Sequence, residues 1–93
     1  MELKDLINNP NSNIVDVRTR NEFNLESLEG SINIPLDDVV KREEELRSMQ
    51  PLILCCLSGG RSGQATRYLK SIGFDNVYNG GGWKEVKALK EKL

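Results

Sequence analysis

Apolar positions along this chain of 93 residues fall into short runs separated by turn-forming residues, and the runs alternate between helical and extended spacing. Leu3, Leu6 and Ile7 recur on one face and stop before Pro10, which predicts a short helix. Ile14-Val15-Asp16-Val17 predicts a buried strand, and residues 21–25 have room for a single helical turn. Ser31-Ile32-Asn33-Ile34 predicts a short strand closed by Pro35. Asp37 or Asp38 is placed to cap a helix that carries Val39, Leu46 and Met49 inward and its charges outward. Residues 52–55, Leu-Ile-Leu-Cys, form the most apolar run and predict a central strand. Residues 62–72 predict a helix with Ala65, Tyr68, Leu69 and Ile72 facing inward and Gly73 as its stop. Asn76-Val77-Tyr78 predicts a short strand and Gly80-Gly81-Gly82 a turn. Residues 83–93 predict a closing helix with Val86, Leu89 and Leu93 on one face.

Strands that alternate with helices argue for the α/β class: a small three-layer fold, with a mostly parallel central sheet and helices on both faces. No internal repeat, low-complexity tract or linker divides the chain, so residues 1–93 are expected to form one domain. A hydrophobic fraction of 38% supports one modest core. In sheets of this kind, sites lie beyond the carboxyl ends of the strands. Cys56 stands at that end of the strand expected to be central.

Charge narrows the function. Thirteen basic and fourteen acidic residues leave a net charge of −1, so nothing favours nucleic acid or an anionic membrane as partner. No apolar run approaches the ~20 residues that span a bilayer, and the chain opens on an amphipathic pattern instead of a signal segment. The two cysteines are adjacent, which rules out an ordinary framework disulfide and fits a reducing, cytoplasmic setting. There is no histidine. That removes the Cys-His and Ser-His mechanisms and most zinc sites, so no metal and no cofactor are expected. A monomer is the default at this size.

The chemistry concentrates at residues 56–61, Cys-Leu-Ser-Gly-Gly-Arg, between the apolar strand and the following helix. Unpaired N–H groups at a helix N-terminus favour negative charge, and a thiol held there shifts toward its thiolate. Gly59 and Gly60 let the backbone curl through positive φ and turn several N–H groups inward. Arg61 adds a fixed charge or braces the loop, and Ser62 is placed to cap the helix. Strand alternation turns Cys55 away from Cys56 and makes it a packing residue. Asp16 reads as a hydrogen-bonded structural carboxylate and Trp83 as a cap on the core. Arg18 also stands at a strand end, where sites in such sheets lie.

Four segments, in order, resemble a single-domain rhodanese, a sulfurtransferase. Ile14-Val15-Asp16-Val17-Arg18 with Glu22-Phe23 is similar to that family's Asp-Val-Arg opening and the Glu-Phe after it. Gly30-Ser31-Ile32-Asn33-Ile34-Pro35 is similar to its Gly-Ala-Ile-Asn-Ile-Pro stretch, Cys56 to Ser62 to its active-site loop, and Gly80-Gly81-Gly82-Trp83 to its glycine-rich turn. Two positions depart from the pattern. Glu26-Ser27-Leu28-Glu29-Gly30 replaces Gly-His-Ile-Pro-Gly, and the second loop position, often basic in enzymes that prefer thiosulfate, is Leu57.

The resemblance implies a persulfide on Cys56, with the amides between Cys56 and Ser62 expected to enclose a pocket for one additional sulfur atom. The sulfur would come from a small-molecule sulfane donor or a protein persulfide, and a thiol or cyanide would accept it. Leu57, Ser58, Gly59, Gly60, Arg61, Ser62 and Arg18 would form the binding site around Cys56. It also implies that a six-residue loop from cysteine to arginine favours sulfur transfer, whereas a loop one residue longer belongs to phosphatases and arsenate reductases of the same fold. A non-enzymatic sulfur carrier or docking module is the alternative. Displacement at sulfur expels leaving groups that are already stable anions, so the missing histidine is no handicap.

Overall fold

A computed structural model describes residues 2–91. Four strands, β1 (Asn13–Asp16), β2 (Ile32–Asn33), β3 (Leu52–Cys56) and β4 (Val77–Gly82), form one sheet in the order β2-β1-β3-β4, and every pairing is parallel. Five helices surround it: α1 (Leu3–Asn8), α2 (Arg20–Leu25), α3 (Glu43–Arg47), α4 (Gly60–Ser71) and α5 (Trp83–Leu89). The fold is the three-layer α/β arrangement that the alternation of strands and helices predicts.

Strand β3 lies between β1 and β4, and all five of its residues are buried. That is why its sequence lacks the polar alternation of a half-exposed strand. Alternate side chains still divide between two cores. Leu52, Leu54 and Cys56 join Val15, Ala65, Leu69, Phe74 and Val77 on the α4 side. Ile53 and Cys55 join Leu6, Ile7, Ile14, Trp83 and Val86 on the side of α1 and α5. Each fully buried Leu or Ile contributes about 2 kcal/mol of transfer free energy.

Several boundaries differ from the sequence expectation. The single helix expected after Asp37 or Asp38 is instead a 3-10 turn, Leu36–Asp38, followed by the five-residue α3. Neither aspartate caps a helix, because both lie inside the turn. The glycines at 80–82 do not form a turn. They extend β4, with a register shift opposite Leu54 and Cys55. A side chain at Gly80 would meet Ile53 and Val86 within 3 Å, so this strand is glycine-rich because the sheet and α5 press against it. Helix α5 ends at Leu89, with Leu89 packed on the core; Leu93 lies outside the described residues.

Candidate active site

Helix α4 begins at Gly60, two residues before the sequence expectation, and its N-cap is Gly59 at φ 102°. Only the left-handed region closes the turn here, and a Cβ on Gly59 would also lie 3.3 Å from Gly81 Cα. Gly60 has no positive φ, so one glycine and not two supplies the curl. Ser62 is therefore not the cap. It stands in the first turn of α4, fully buried, with its hydroxyl turned to the floor of the loop.

At that floor is Cys56. Its Sγ accepts from Gly59 N–H at 3.0 Å, and Ser62 N–H and Ser62 Oγ each lie 3.4 Å away. Burial alone pushes this thiol up. Hydrogen bonds from the Ser62 hydroxyl and from the N–H groups of Ser62, Ser58 and Gly59 outweigh burial and draw the thiol down to about 7 from 9.0. The adjacent Cys55, buried in the other core beside the charge of Asp16, is pushed up to about 12. The loop thus selects one of two adjacent thiols.

The amides do converge, but not on an open pocket. They close on Cys56 Sγ itself, and Cys56 is 1% exposed. The expected vacancy for a further sulfur is absent from this arrangement because the cysteine sulfur fills the cup. Leu57, Ser58 and Gly60 form the exposed rim above it, with Leu57 60% exposed.

Arg61 braces the loop. Its guanidinium makes paired contacts of 2.6 and 3.0 Å with the Glu22 carboxylate. Glu22 also completes a capping box with Thr19 at the start of α2. These contacts, with Arg61 first, hold the Glu22 carboxyl down to about 2. One carboxylate therefore ties α2 to the loop, a role that the isolated Glu-Phe pair in the sequence does not reveal.

Arg18 is engaged inside the fold, on the wall of a cavity that it shares with Leu57 and Trp83. It is 4% exposed and locked onto fully buried Asp16 by contacts of 2.7 to 3.0 Å. It also donates to the Glu26 carbonyl at 2.8 Å and stacks over Trp83, 5.1 Å from the ring centroid. A buried carboxylate needs such a partner, and Asp16 takes the guanidinium that the sequence left free. Asp16 is the structural carboxylate and Trp83 the core residue that the sequence suggests.

Asn79 is the site residue that sequence reading missed. From β4 its side chain reaches Gly59 and Ser62 on the loop and Gly81 on its own strand. A polar residue directly before three glycines was the available signal. Among the described residues, no group of three or more His, Cys, Asp or Glu is placed to hold a metal ion.

The structure is thus a parallel α/β domain with a lowered thiol at a strand's carboxyl end, under a helix N-terminus. The family model described as "Rhodanese-like domain" matches residues 1–89, and the chain belongs to that family. The thiosulfate sulfurtransferase PspE of Escherichia coli is 34% identical over 83 residues, covering 84% of this chain and 77% of that protein. The putative sulfur carrier protein YrkF of Bacillus subtilis is 40% identical over 67 residues, covering 72% of this chain. The chain spans only 36% of the length of YrkF and 65% of that of YqhL, another Bacillus subtilis relative. A solved rhodanese from E. coli superposes with a TM-score of 0.68 at 33% identity, covering 80% of this chain and 89% of that one.

Proposed function

We propose that the protein is a sulfurtransferase that carries a sulfane sulfur as a persulfide on Cys56. The observation that carries this reading is the convergence of Ser58, Gly59 and Ser62 donors on one thiol, which draws it down to about 7. With thiosulfate as donor, the Cys56 thiolate attacks the outer sulfur. The S–S bond of the donor breaks, and sulfite leaves with the electron pair. An acceptor thiolate or cyanide then attacks the outer sulfur of the persulfide, and the electron pair returns to Cys56. Both steps are displacements at sulfur that need no external oxidant and no proton shuttle.

The exposed Leu57 gives the rim an apolar position, which suits a persulfide carried on a small molecule or a protein at least as well as free thiosulfate. Because Sγ is nearly covered, loading requires the rim to part and the loop amides to pass from Sγ to the incoming anionic sulfur. Gly59, Gly60, Ser58 and Ser62 are the residues that would hold it, with Arg61 fixing the loop through Glu22. A phosphatase reading is disfavoured by the six-residue loop. It is also disfavoured by Asp16, the one strand-end candidate for a general acid, which is fully buried and paired with Arg18.

A carrier function is the second reading, favoured by the likeness to a protein named a putative sulfur carrier. Turnover separates the two. With excess thiosulfate, or glutathione persulfide, and cyanide, an enzyme forms many equivalents of thiocyanate per chain, and Cys56→Ser forms none above background. A carrier loads once and turns over only with a partner protein. Failure to load from any sulfane donor would overturn both.

A further inference from the structure

Ser62 has one hydroxyl proton and two neighbours that could take it. Asn79 Oδ1 lies 2.7 Å away and Cys56 Sγ 3.4 Å away. The short contact places the proton on the line to Asn79, which leaves the Ser62 oxygen lone pairs toward the sulfur. That arrangement suits a neutral thiol, whose S–H can donate to Ser62. It does not suit a thiolate or the anionic persulfide, which would face lone pairs unless the hydroxyl turned.

Asn79 is itself held in place. Its Oδ1 also accepts from Gly81 N–H at 3.0 Å, so both lone pairs of that oxygen are engaged. Its Nδ2 donates to the Gly59 carbonyl at 3.1 Å, the same carbonyl that accepts the first helical bond of α4 from Gly63 N–H. The bulge in β4 makes this possible, since it sets Gly81 rather than Gly80 opposite Cys55 and lets the Gly81 N–H fold back to Asn79. The side chain thus links β4, the loop and the hydroxyl next to the reacting sulfur while touching no sulfur itself.

We infer that Asn79 is a positioning residue that competes with Cys56 for the Ser62 hydroxyl proton, holding it while the sulfur is neutral and yielding it when the sulfur is charged. The inference rests on the sulfur-transfer reading of Cys56 only for its purpose, because the competition is a property of the free protein.

The test is a double-mutant cycle on the ionisation of Cys56, read from the pH dependence of its alkylation by iodoacetamide, which needs no sulfur donor. Ser62→Ala removes the hydroxyl and raises the midpoint. Asn79→Ala frees the hydroxyl to donate to sulfur and lowers the midpoint by about half a pH unit, a fraction of a charged hydrogen bond. In the Ser62→Ala background the downward shift is lost, and only what Asn79 does through the Gly59 carbonyl remains. Asn79→Asp keeps both acceptor contacts and adds a negative charge, so its midpoint rises above wild type, and the rise is smaller without Ser62. Near-ultraviolet circular dichroism checks that each variant is folded. An Asn79→Ala shift of equal size with and without Ser62, or no shift in either Asn79 variant, would overturn the inference. Neither result would bear on whether Cys56 accepts sulfur, which the thiocyanate assay reads independently.

Discussion

The last two positions of β3 carry adjacent thiols on opposite faces of the sheet. Cys56 meets three backbone donors and a hydroxyl and is drawn down to about 7; for Cys55, burial and the Asp16 charge outweigh the nearby Arg18 charge and push the thiol up to about 12. A cysteine sequence pattern gives neither value, but the alternation of a strand gives the separation of faces. The expected outcome is selective chemistry: iodoacetamide at neutral pH modifies Cys56 alone, with a rate that rises through a midpoint near 7. Cys55 stays unmodified until the protein is denatured. Peptide mapping after alkylation reads both. Modification of Cys55 in the native protein would contradict the assignment. Arg18 is the opposite case, since its place at a strand end is legible but its partner is not. Only the fold reveals that fully buried Asp16 needs that guanidinium.

At the scale of elements, the site is a loop held from three sides. The strand end supplies Cys56, helix α2 supplies Glu22 for Arg61, and β4 supplies Asn79 for Gly59 and Ser62. The loop itself was legible in the sequence because cysteine, two glycines and arginine sit between an apolar strand and a helical pattern. Its supports were not, because they lie 39 residues before Arg61 and 17 after Ser62, and no local spacing relates them. The helix start was misplaced for a related reason, since Ser62 looks like a cap by residue type while Gly59 is the cap by conformation. Gly59→Ala forces a Cβ into the left-handed region and against Gly81, at a cost of about 1–2 kcal/mol. It also turns the Gly59 N–H off Sγ. Its Cys56 midpoint is expected to move up toward 9.0, with a lower melting temperature. A Gly59→Ala protein with an unchanged alkylation profile would show that this amide does not hold the sulfur.

Across the whole molecule, the parallel order β2-β1-β3-β4 puts Cys56 at the carboxyl end of an interior strand, with a core on each side. The parallel sheet, its covered faces and the central place of β3 were readable from the alternation of apolar runs; the strand order was not. The middle of the chain was not, because the acidic and basic residues of 41–47 fit a continuous helix as well as they fit the turn and short α3 that form. Stability follows burial. Leu54→Ala, at a fully buried position in β3, is expected to cost about 2–5 kcal/mol. Leu25→Ala, at a position 87% exposed, is expected to cost less than about 0.5 kcal/mol in urea unfolding. Acid acts through the tie between α2 and the loop. The Glu22 carboxyl is held down to about 2 in the fold against 4.5 ordinarily, so its contribution is complete above 4.5 and lost as pH falls toward 2. Both partners are about one third exposed, and screening limits the effect to about 1 kcal/mol or less. Glu22→Gln should therefore be less stable than wild type near neutrality, with the gap closing through that range.

The direct measurement of the central claim is the intact mass of the protein after exposure to a sulfane donor, followed by peptide mapping without reductant. The account predicts a gain of one sulfur atom per chain, located on Cys56, removed by a thiol reductant and absent from Cys56→Ser. An unchanged mass with thiosulfate, glutathione persulfide and polysulfide alike, or a sulfur found on Cys55 instead, would contradict it.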